Sequence, residues 1–131
     1  MMSLITIKDE TASGDVLNKI QLQIDNERIT VRDLIASRVT AEVELYNQKL
    51  PDVFNGLIKP TEAEPTISGF KMKKKNPIDA EKQVYIALEA FQRNGFFILV
   101  DNSQCEELDQ EVLVNANSSI SFIKLTPLAG G

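Results

Sequence analysis

The chain has 131 residues, 43% hydrophobic and 25% charged, so it is long enough for one domain with a sizeable core. The net charge of −5 argues against general binding to nucleic acid, and the absence of His excludes His-based triads and His zinc sites. No segment approaches the roughly 18 apolar residues of a membrane helix, and no signal pattern opens the chain, so we expect a cytoplasmic protein. Cys105 is the only cysteine, and we interpret it as a structural thiol. The chain is predicted not to be an enzyme.

Residues 1–49 are predicted to form two strands and a helix. Apolar and polar residues alternate over residues 5–8 and 20–24, which is the period-two pattern of half-buried strands. The polar stretch 10–15 lies between them and predicts a hairpin. Thr30 is the predicted N-cap of the helix, with Asp33 three residues later. Apolar residues then recur at helical spacing at Val31, Leu34, Ile35, Val39, Val43 and Tyr46.

Periodicity breaks down between Lys49 and Asn76. Prolines and glycines interrupt this stretch at Pro51, Gly56, Pro60, Pro65 and Gly69. A loop of this length inside a compact domain is usually functional or disordered. The basic run at residues 71–75 lies within it. We interpret this run as solvated charge in a mobile segment, and the alternative is contact with an acidic partner or with RNA.

A second helix is predicted from Asp79, its N-cap, to Asn94, where Asn94-Gly95 provides a left-handed stop signal. One face of this helix is apolar, and we expect it to dock on the domain through Val84, Ala87, Leu88 and Phe91.

Three further segments follow. The apolar run at residues 96–100 predicts a buried strand, and a short return strand is predicted at 103–106 after a turn. Residues 108–114 are ambiguous between a turn or short helical piece and a strand. The last strand is predicted at 119–125, covered on both sides of the sheet.

The last predicted strand leads into Leu128-Ala129-Gly130-Gly131. Glycine allows a backbone to pass through a narrow channel without a Cβ, and it leaves the adjoining carbonyl open to attack by a thiol or an amine. We therefore expect the carboxylate of Gly131 to be activated, with Gly130 giving it access. The alternative is a frayed or tag-derived end, because two terminal glycines arise by chance roughly once in 200 chains.

The predicted order β-β-α, insertion, β-β-turn-β with a Gly-Gly tail resembles the ubiquitin-like β-grasp superfamily, an α+β fold in which a mixed sheet packs on a helix. The resemblance covers residues 3–49 and 95–131, whereas residues 50–94 look like an insertion made of a loop and a helix at 79–94. Residues 96–101 and 120–131, with Leu108-Asp109 between them, are similar to bacterial ubiquitin-like proteins. The resemblance implies a single domain over residues 1–131, ending in a flexible tail at 126–131.

The resemblance also implies a function. A partner activating enzyme would use ATP to adenylate the Gly131 carboxylate, and the acyl group would pass through an enzyme thioester to form an isopeptide bond on a target protein. Similar bacterial proteins are commonly encoded beside conjugating-enzyme and metalloprotease homologues, and some of these systems are linked to antiviral defence. The chain itself would bind no cofactor and no metal. Two alternatives remain open: a sulfur carrier with a thiocarboxylate on Gly131, and a binding or assembly module whose glycines are incidental.

The same resemblance places the last strand mid-sheet beside the first. Pro127 would then stiffen the exit of the tail, because proline lacks an amide donor and suits the end of a strand. Leu128, with Ala129 beside it, is the side chain that we expect an activating enzyme to recognise. The alternative for Leu128 is that it packs back on the sheet.

Overall fold

A computed structural model describes residues 3–25, 27–60, 62–66, 69–73 and 76–125. Within these residues the chain forms ten strands and two helices: β1 (Ser3–Thr11), β2 (Val16–Ile24), β3 (Arg28–Thr30), α1 (Val31–Lys49), β4 (Val53–Phe54), β5 (Ala63–Pro65), β6 (Phe70–Met72), α2 (Ala80–Gln92), β7 (Phe96–Val100), β8 (Ser103–Gln104), β9 (Glu111–Leu113) and β10 (Ile120–Lys124). The fold class is α+β, as expected. Neither of these helices is long and apolar enough to cross a membrane.

The main sheet has five strands in the order β2-β1-β10-β7-β8. β1 and β2 form the predicted antiparallel hairpin, with Ile7 opposite Ile20. On its other side β1 runs parallel to β10, with Ile7 opposite Ile120. β10 in turn pairs antiparallel with β7. The last strand therefore lies mid-sheet beside the first, as the resemblance implied, and the sheet is mixed.

α1 packs its apolar stripe on one face of this sheet. The helix begins where predicted, because the Thr30 hydroxyl accepts a hydrogen bond from the Asp33 amide at 3.1 Å and so caps a free backbone donor. It ends at Leu50, which takes a left-handed conformation (φ 46°). All six apolar residues that the spacing selected in α1 are buried. They meet the inward-facing residues of the sheet, among them Ile5, Ile7, Ile98, Ile120 and Phe122.

Residues 53–72 contain three short strands where the sequence predicted only a loop. They form a separate sheet in the order β4-β6-β5. Each of these strands has only two or three residues, so none is long enough to display a periodic pattern. Pro65 ends β5, an edge strand of this small sheet, where a missing amide donor is tolerated.

α2 is shorter than predicted, ending at Gln92 rather than Asn94. Asp79 caps it as expected, accepting a hydrogen bond from the Lys82 amide at 3.2 Å. The helix stops because Asn94 turns left-handed (φ 61°) and the Gly95 amide bonds back to the Ala90 carbonyl at 2.8 Å. The predicted apolar face does dock on the domain: Ala87 and Phe91 are buried, and Val84 and Leu88 pack against the core while partly exposed.

The C-terminal strands also differ in detail from the prediction. Asp101 and Asn102 both have positive φ (50° and 67°), which suits a tight hairpin between β7 and β8. β8 has only two residues, shorter than the predicted 103–106. The ambiguous stretch 108–114 contains β9, which pairs antiparallel with β3 beside the start of α1. The second face of β10 is only partly covered, because Ile123 and Leu125 remain half-exposed.

Candidate functional site

The predicted site is the tail, and all five of its residues lie outside the part of the chain that the structure describes: Pro127, Leu128, Ala129, Gly130 and Gly131. The structure does describe the segment from which the tail continues. β10 ends at Lys124, and Leu125 is the last described residue. The surroundings of Lys124 are therefore the part of the predicted site that can be examined.

Lys124 belongs to a cluster of four charged side chains inside the fold, which we call the buried charge cluster: Asp9, Arg38, Glu42 and Lys124. Asp9 on β1 and Arg38 on α1 are completely buried. The side chains of Glu42 and Lys124 are 7% and 12% exposed. Charged residues are almost never this deeply buried unless they are paired, so each of these four charges is expected to have a partner of opposite sign.

Arg38 is the centre of the buried charge cluster. Its guanidinium donates two hydrogen bonds to the Asp9 carboxylate, with 2.6 Å between Nη2 and Oδ2. Its Nε donates to Glu42 Oε2 at 3.3 Å, and the guanidinium lies 4.7 Å from the centroid of the Phe122 ring. The Lys124 ammonium lies 3.7 Å from Asp9 Oδ2. Two cations thus balance two carboxylates, which is the condition for keeping charges out of water.

Burial changes the protonation equilibria in the cluster. Desolvation raises the pKa of the Glu42 carboxyl above its ordinary value, although Arg38 and the Leu57 amide oppose the shift. Desolvation likewise lowers the pKa of the Lys124 ammonium, against the attraction of Asp9. Burial alone would lower the pKa of Arg38, but the adjacent carboxylates of Glu42 and Asp9 together raise it. Arg38 therefore stays charged.

The cluster also joins the main sheet to the inserted segment. Glu42 Oε1 accepts a hydrogen bond from the Leu57 amide at 2.9 Å. Lys124 Nζ donates to the Gly56 carbonyl at 3.1 Å and lies 5.9 Å from the centroid of the Phe70 ring. A Cβ on Gly56 would come within 2.1 Å of the buried Phe54 ring, so only glycine fits here. The end of β10 is thereby fixed against the insertion.

The buried charge cluster can hold the elements that carry it in fixed positions. Each of its four side chains is engaged in ion pairs or hydrogen bonds, and none is a thiol or a hydroxyl. Cys105 is buried, and burial raises the pKa of its thiol, in keeping with a structural role. Over the described ranges, no group of three or more His, Cys, Asp or Glu side chains could hold a metal ion.

The sequence analysis did not identify the buried charge cluster, although a signal for it was present. Asp9 continues the alternation of Ile5 and Ile7 along β1, and Arg38 follows Leu34 at helical spacing. Lys124 likewise lies on the same face of β10 as Phe122. A charged residue at an apolar position of a pattern was thus the feature that marked these three members of the cluster.

The basic run at residues 71–75 is described only in part. Lys71 and Lys73 are exposed, and the Lys73 ammonium lies 3.3 Å from the Glu64 carboxylate on the neighbouring strand β5. Lys74 and Lys75 lie outside the described residues. Both described lysines are exposed to solvent, as expected, but Lys71 lies on β6 rather than in a loop and Lys73 forms an exposed ion pair.

Comparison with known proteins identifies no relative. No family model, no curated protein and no solved structure matches the chain. Arguments about its function therefore depend on its own residues and their geometry.

Proposed function

We propose that this chain is a ubiquitin-like protein modifier with a β-grasp fold, in which the carboxylate of Gly131 is activated and joined to amines of target proteins. A partner activating enzyme uses ATP to form the adenylate, which releases pyrophosphate, and its own cysteine then displaces AMP to form a thioester. A lysine of the target attacks the thioester carbonyl, which forms the isopeptide bond and releases the enzyme thiol. A conjugating enzyme and a metalloprotease are further proposed partners.

The observation that carries the proposal is the position of β10. This strand lies in the middle of the mixed sheet, parallel to β1, and it ends at Lys124, immediately before residues 125–131. The sequence led us to expect this arrangement of the first and last strands for a β-grasp fold. A central strand is held on both sides, so the residues that follow it leave the domain at a fixed position. An enzyme can recognise these residues together with the surface around the end of the strand.

In this proposal the chain contributes recognition and a reactive end, but no catalytic group. The buried charge cluster holds the end of β10 through Lys124, which contacts both Asp9 and the Gly56 carbonyl. Gly130 and Gly131 carry no Cβ, so they can enter a narrow channel and leave the acyl carbon accessible to a thiol or an amine. Pro127, Leu128 and Ala129 are the residues that we propose the activating enzyme reads.

The decisive experiment uses the full chain with an affinity tag at its N-terminus, expressed in its own host and captured under denaturing conditions. Trypsin cleaves after Lys124, so a conjugated lysine of a target should carry residues 125–131 of this chain as its remnant. Mass spectrometry of the captured material is expected to find this remnant on lysines of other proteins. Intact mass of the unconjugated chain is measured in the same sample.

Two variants make the result specific. Deletion of Gly130 and Gly131 is expected to abolish the remnant and leave the melting temperature of the purified protein unchanged, because terminal residues beyond a strand contribute few buried contacts. Thr126→Ala alters the same segment and keeps both glycines, so it should retain conjugation. A gain of about 16 Da that is lost when Gly130 and Gly131 are deleted, found without any remnant, would instead identify a sulfur carrier, because sulfur has then replaced an oxygen of the carboxylate. If the parent shows neither product, the proposal is wrong.

A further inference from the structure

Lys124 is the last Lys or Arg among the 131 residues, so one cut after it removes residues 125–131. Endoproteases of the trypsin class make such cuts, because they take a Lys or Arg side chain into an acidic pocket. In the folded chain the Lys124 side chain is only 12% exposed. The contacts that bury this side chain therefore control whether the tail can be lost in a single step.

Pairing in the main sheet stops at Lys124. Three strand ends meet there, because Lys124 lies opposite Thr11, the last residue of β1, and opposite Phe96, the first residue of β7. Strand ends open locally at a smaller cost in free energy than the centre of a sheet does. Proteolysis of a folded chain proceeds through such openings. Backbone pairing alone would therefore give the bond after Lys124 little protection.

Part of the insertion lies over the Lys124 side chain, and we call this part the lid: residues 53–57 and 70–72. The Gly56 carbonyl accepts a hydrogen bond from the Lys124 ammonium at 3.1 Å. The centroid of the Phe70 ring lies 5.9 Å from the same ammonium. The lid thus adds contacts to the end of β10 that the main sheet does not supply.

The lid is itself held by few contacts. Its strands β4 and β6 have two and three residues, and Phe54 pairs with Phe70 between them. Leu57 is fully buried, and its amide donates to Glu42 of α1 at 2.9 Å. A segment with so few contacts opens at a smaller cost in free energy than unfolding of the whole domain. Such an opening breaks the bond between the Lys124 ammonium and the Gly56 carbonyl.

We propose that the lid guards the tail against endoproteases of the trypsin class, and that local opening of the lid makes the tail removable. In the closed state the Lys124 ammonium contacts Asp9 and the Gly56 carbonyl, so it is withheld from the pocket of the protease. In the open state hydrolysis adds water across the peptide bond between Lys124 and Leu125, which leaves a carboxylate on Lys124 and an amine on Leu125. The value of the tail rests on the proposed function, whereas the guarding is a property of the folded chain alone.

The first test measures the initial rate at which trypsin releases residues 125–131 from the purified full chain. Mass spectrometry follows the released peptide while most molecules are still uncut. A synthetic peptide of residues 118–131, which has no lid, provides the reference rate. We expect the folded chain to be cut about a hundredfold or more slowly than the peptide, because cleavage then tracks the small population of opened molecules. The measurement needs no activating enzyme, so its failure would leave the proposed function unaffected.

The second test asks whether the lid is the source of the protection. Leu57 of the lid and Leu34 of α1 are both fully buried, so the two Leu→Ala exchanges remove the same group from the core. Leu57→Ala weakens the lid and should raise the release rate about tenfold or more. Leu34→Ala is the matched control, and it should raise the rate much less because the lid keeps its contacts.

Phe70→Leu is a milder second variant, which keeps an apolar side chain but removes the ring beside the Lys124 ammonium. It should also raise the release rate above that of Leu34→Ala, and it serves alone if Leu57→Ala does not fold. The proposal is overturned if the parent is cut within about tenfold of the peptide rate. It is equally overturned if neither lid variant releases residues 125–131 faster than Leu34→Ala does.

Discussion

The main sheet with α1 and the insertion between α1 and β7 are stabilised in different ways. The first region has five paired strands and a continuous apolar interface with α1. The second has strands of two or three residues and the helix α2. Three side chains of α1 and β10 tie the insertion down by hydrogen bonds to its backbone: Glu42 to Leu57, Asn47 to Ile78 and Lys124 to Gly56. Within the insertion, Gln83 of α2 bonds to the Ile58 carbonyl.

This difference shows how a segment without long-range regularity can still be fixed in place. A bond from a buried or half-buried side chain satisfies a backbone group that has no strand partner, and leaving such a group unsatisfied would be costly. Apolar anchors act beside these bonds, since the Phe54 ring meets Tyr46 edge-on at 5.4 Å and Leu57 is fully buried. The insertion is therefore held by a few specific contacts, and each can be removed singly.

The largest effect is expected where both regions depend on one residue. Arg38→Met keeps an apolar stem on α1 but leaves the carboxylates of Asp9 and Glu42 without their central cation. Because unpaired buried charge is strongly unfavourable, the free energy of unfolding should fall by about 3–5 kcal/mol. Urea unfolding of the purified protein measures this directly.

Arg32→Met is the matched control for Arg38→Met. Arg32 also lies on α1 and pairs with an acid, Asp109, but its side chain is 48% exposed and the distance is 3.5 Å. An exposed pair of this kind contributes about 0–1 kcal/mol. If the two variants lost equal free energy of unfolding, the buried cluster would stabilise the protein no more than an exposed ion pair does.

A smaller and more local effect is expected for Asn47→Ala. The Asn47 amide donates to the Ile78 carbonyl at 3.0 Å and accepts from the Ile78 amide at 2.8 Å, so one side chain mimics a strand partner. Losing both bonds should lower the free energy of unfolding by about 1–3 kcal/mol. Hydrogen exchange should accelerate at the start of α2 more than in β1. Gln48→Ala, at an exposed neighbouring position, should leave both measurements unchanged.

The comparison of the main sheet and α1 with the insertion also explains which elements the sequence could predict. The hairpin, α1, α2, β7 and β10 are long enough for their apolar periodicity to identify them, and capping by Thr30 and Asp79 located the helix starts. The three strands of the insertion are too short for any period to show. Charged residues at apolar positions of β1, α1 and β10 signal the buried charge cluster, but the sequence does not show which of them pair, because the partners lie far apart in the chain: Arg38 and Asp9 are 29 positions apart.

The smallest effect concerns pH and tests the link between the two regions at Glu42. Burial raises the pKa of this carboxyl above the ordinary value of about 4.3, so on acidification the folded protein binds the proton at a higher pH than the unfolded chain. Protonation of Glu42 thus adds to the free energy of unfolding. This contribution is fully present below about pH 4.3 and is lost as the pH rises through the folded-state pKa of Glu42. Glu42→Gln removes this titration and retains an oxygen that can accept from the Leu57 amide.

The measurable quantity is the free energy of unfolding of the parent minus that of Glu42→Gln, obtained by urea unfolding at a series of pH values. This difference should increase as pH is lowered from about 8 and level off near pH of about 4.3. Other groups that titrate are common to both proteins, so their contributions largely cancel. Glu44→Gln, at an exposed position of the same helix, controls for the loss of one surface carboxylate. A difference that decreases on acidification would mean that attraction to Arg38, rather than burial, dominates at Glu42, and that the insertion is held more firmly at neutral pH than at acid pH.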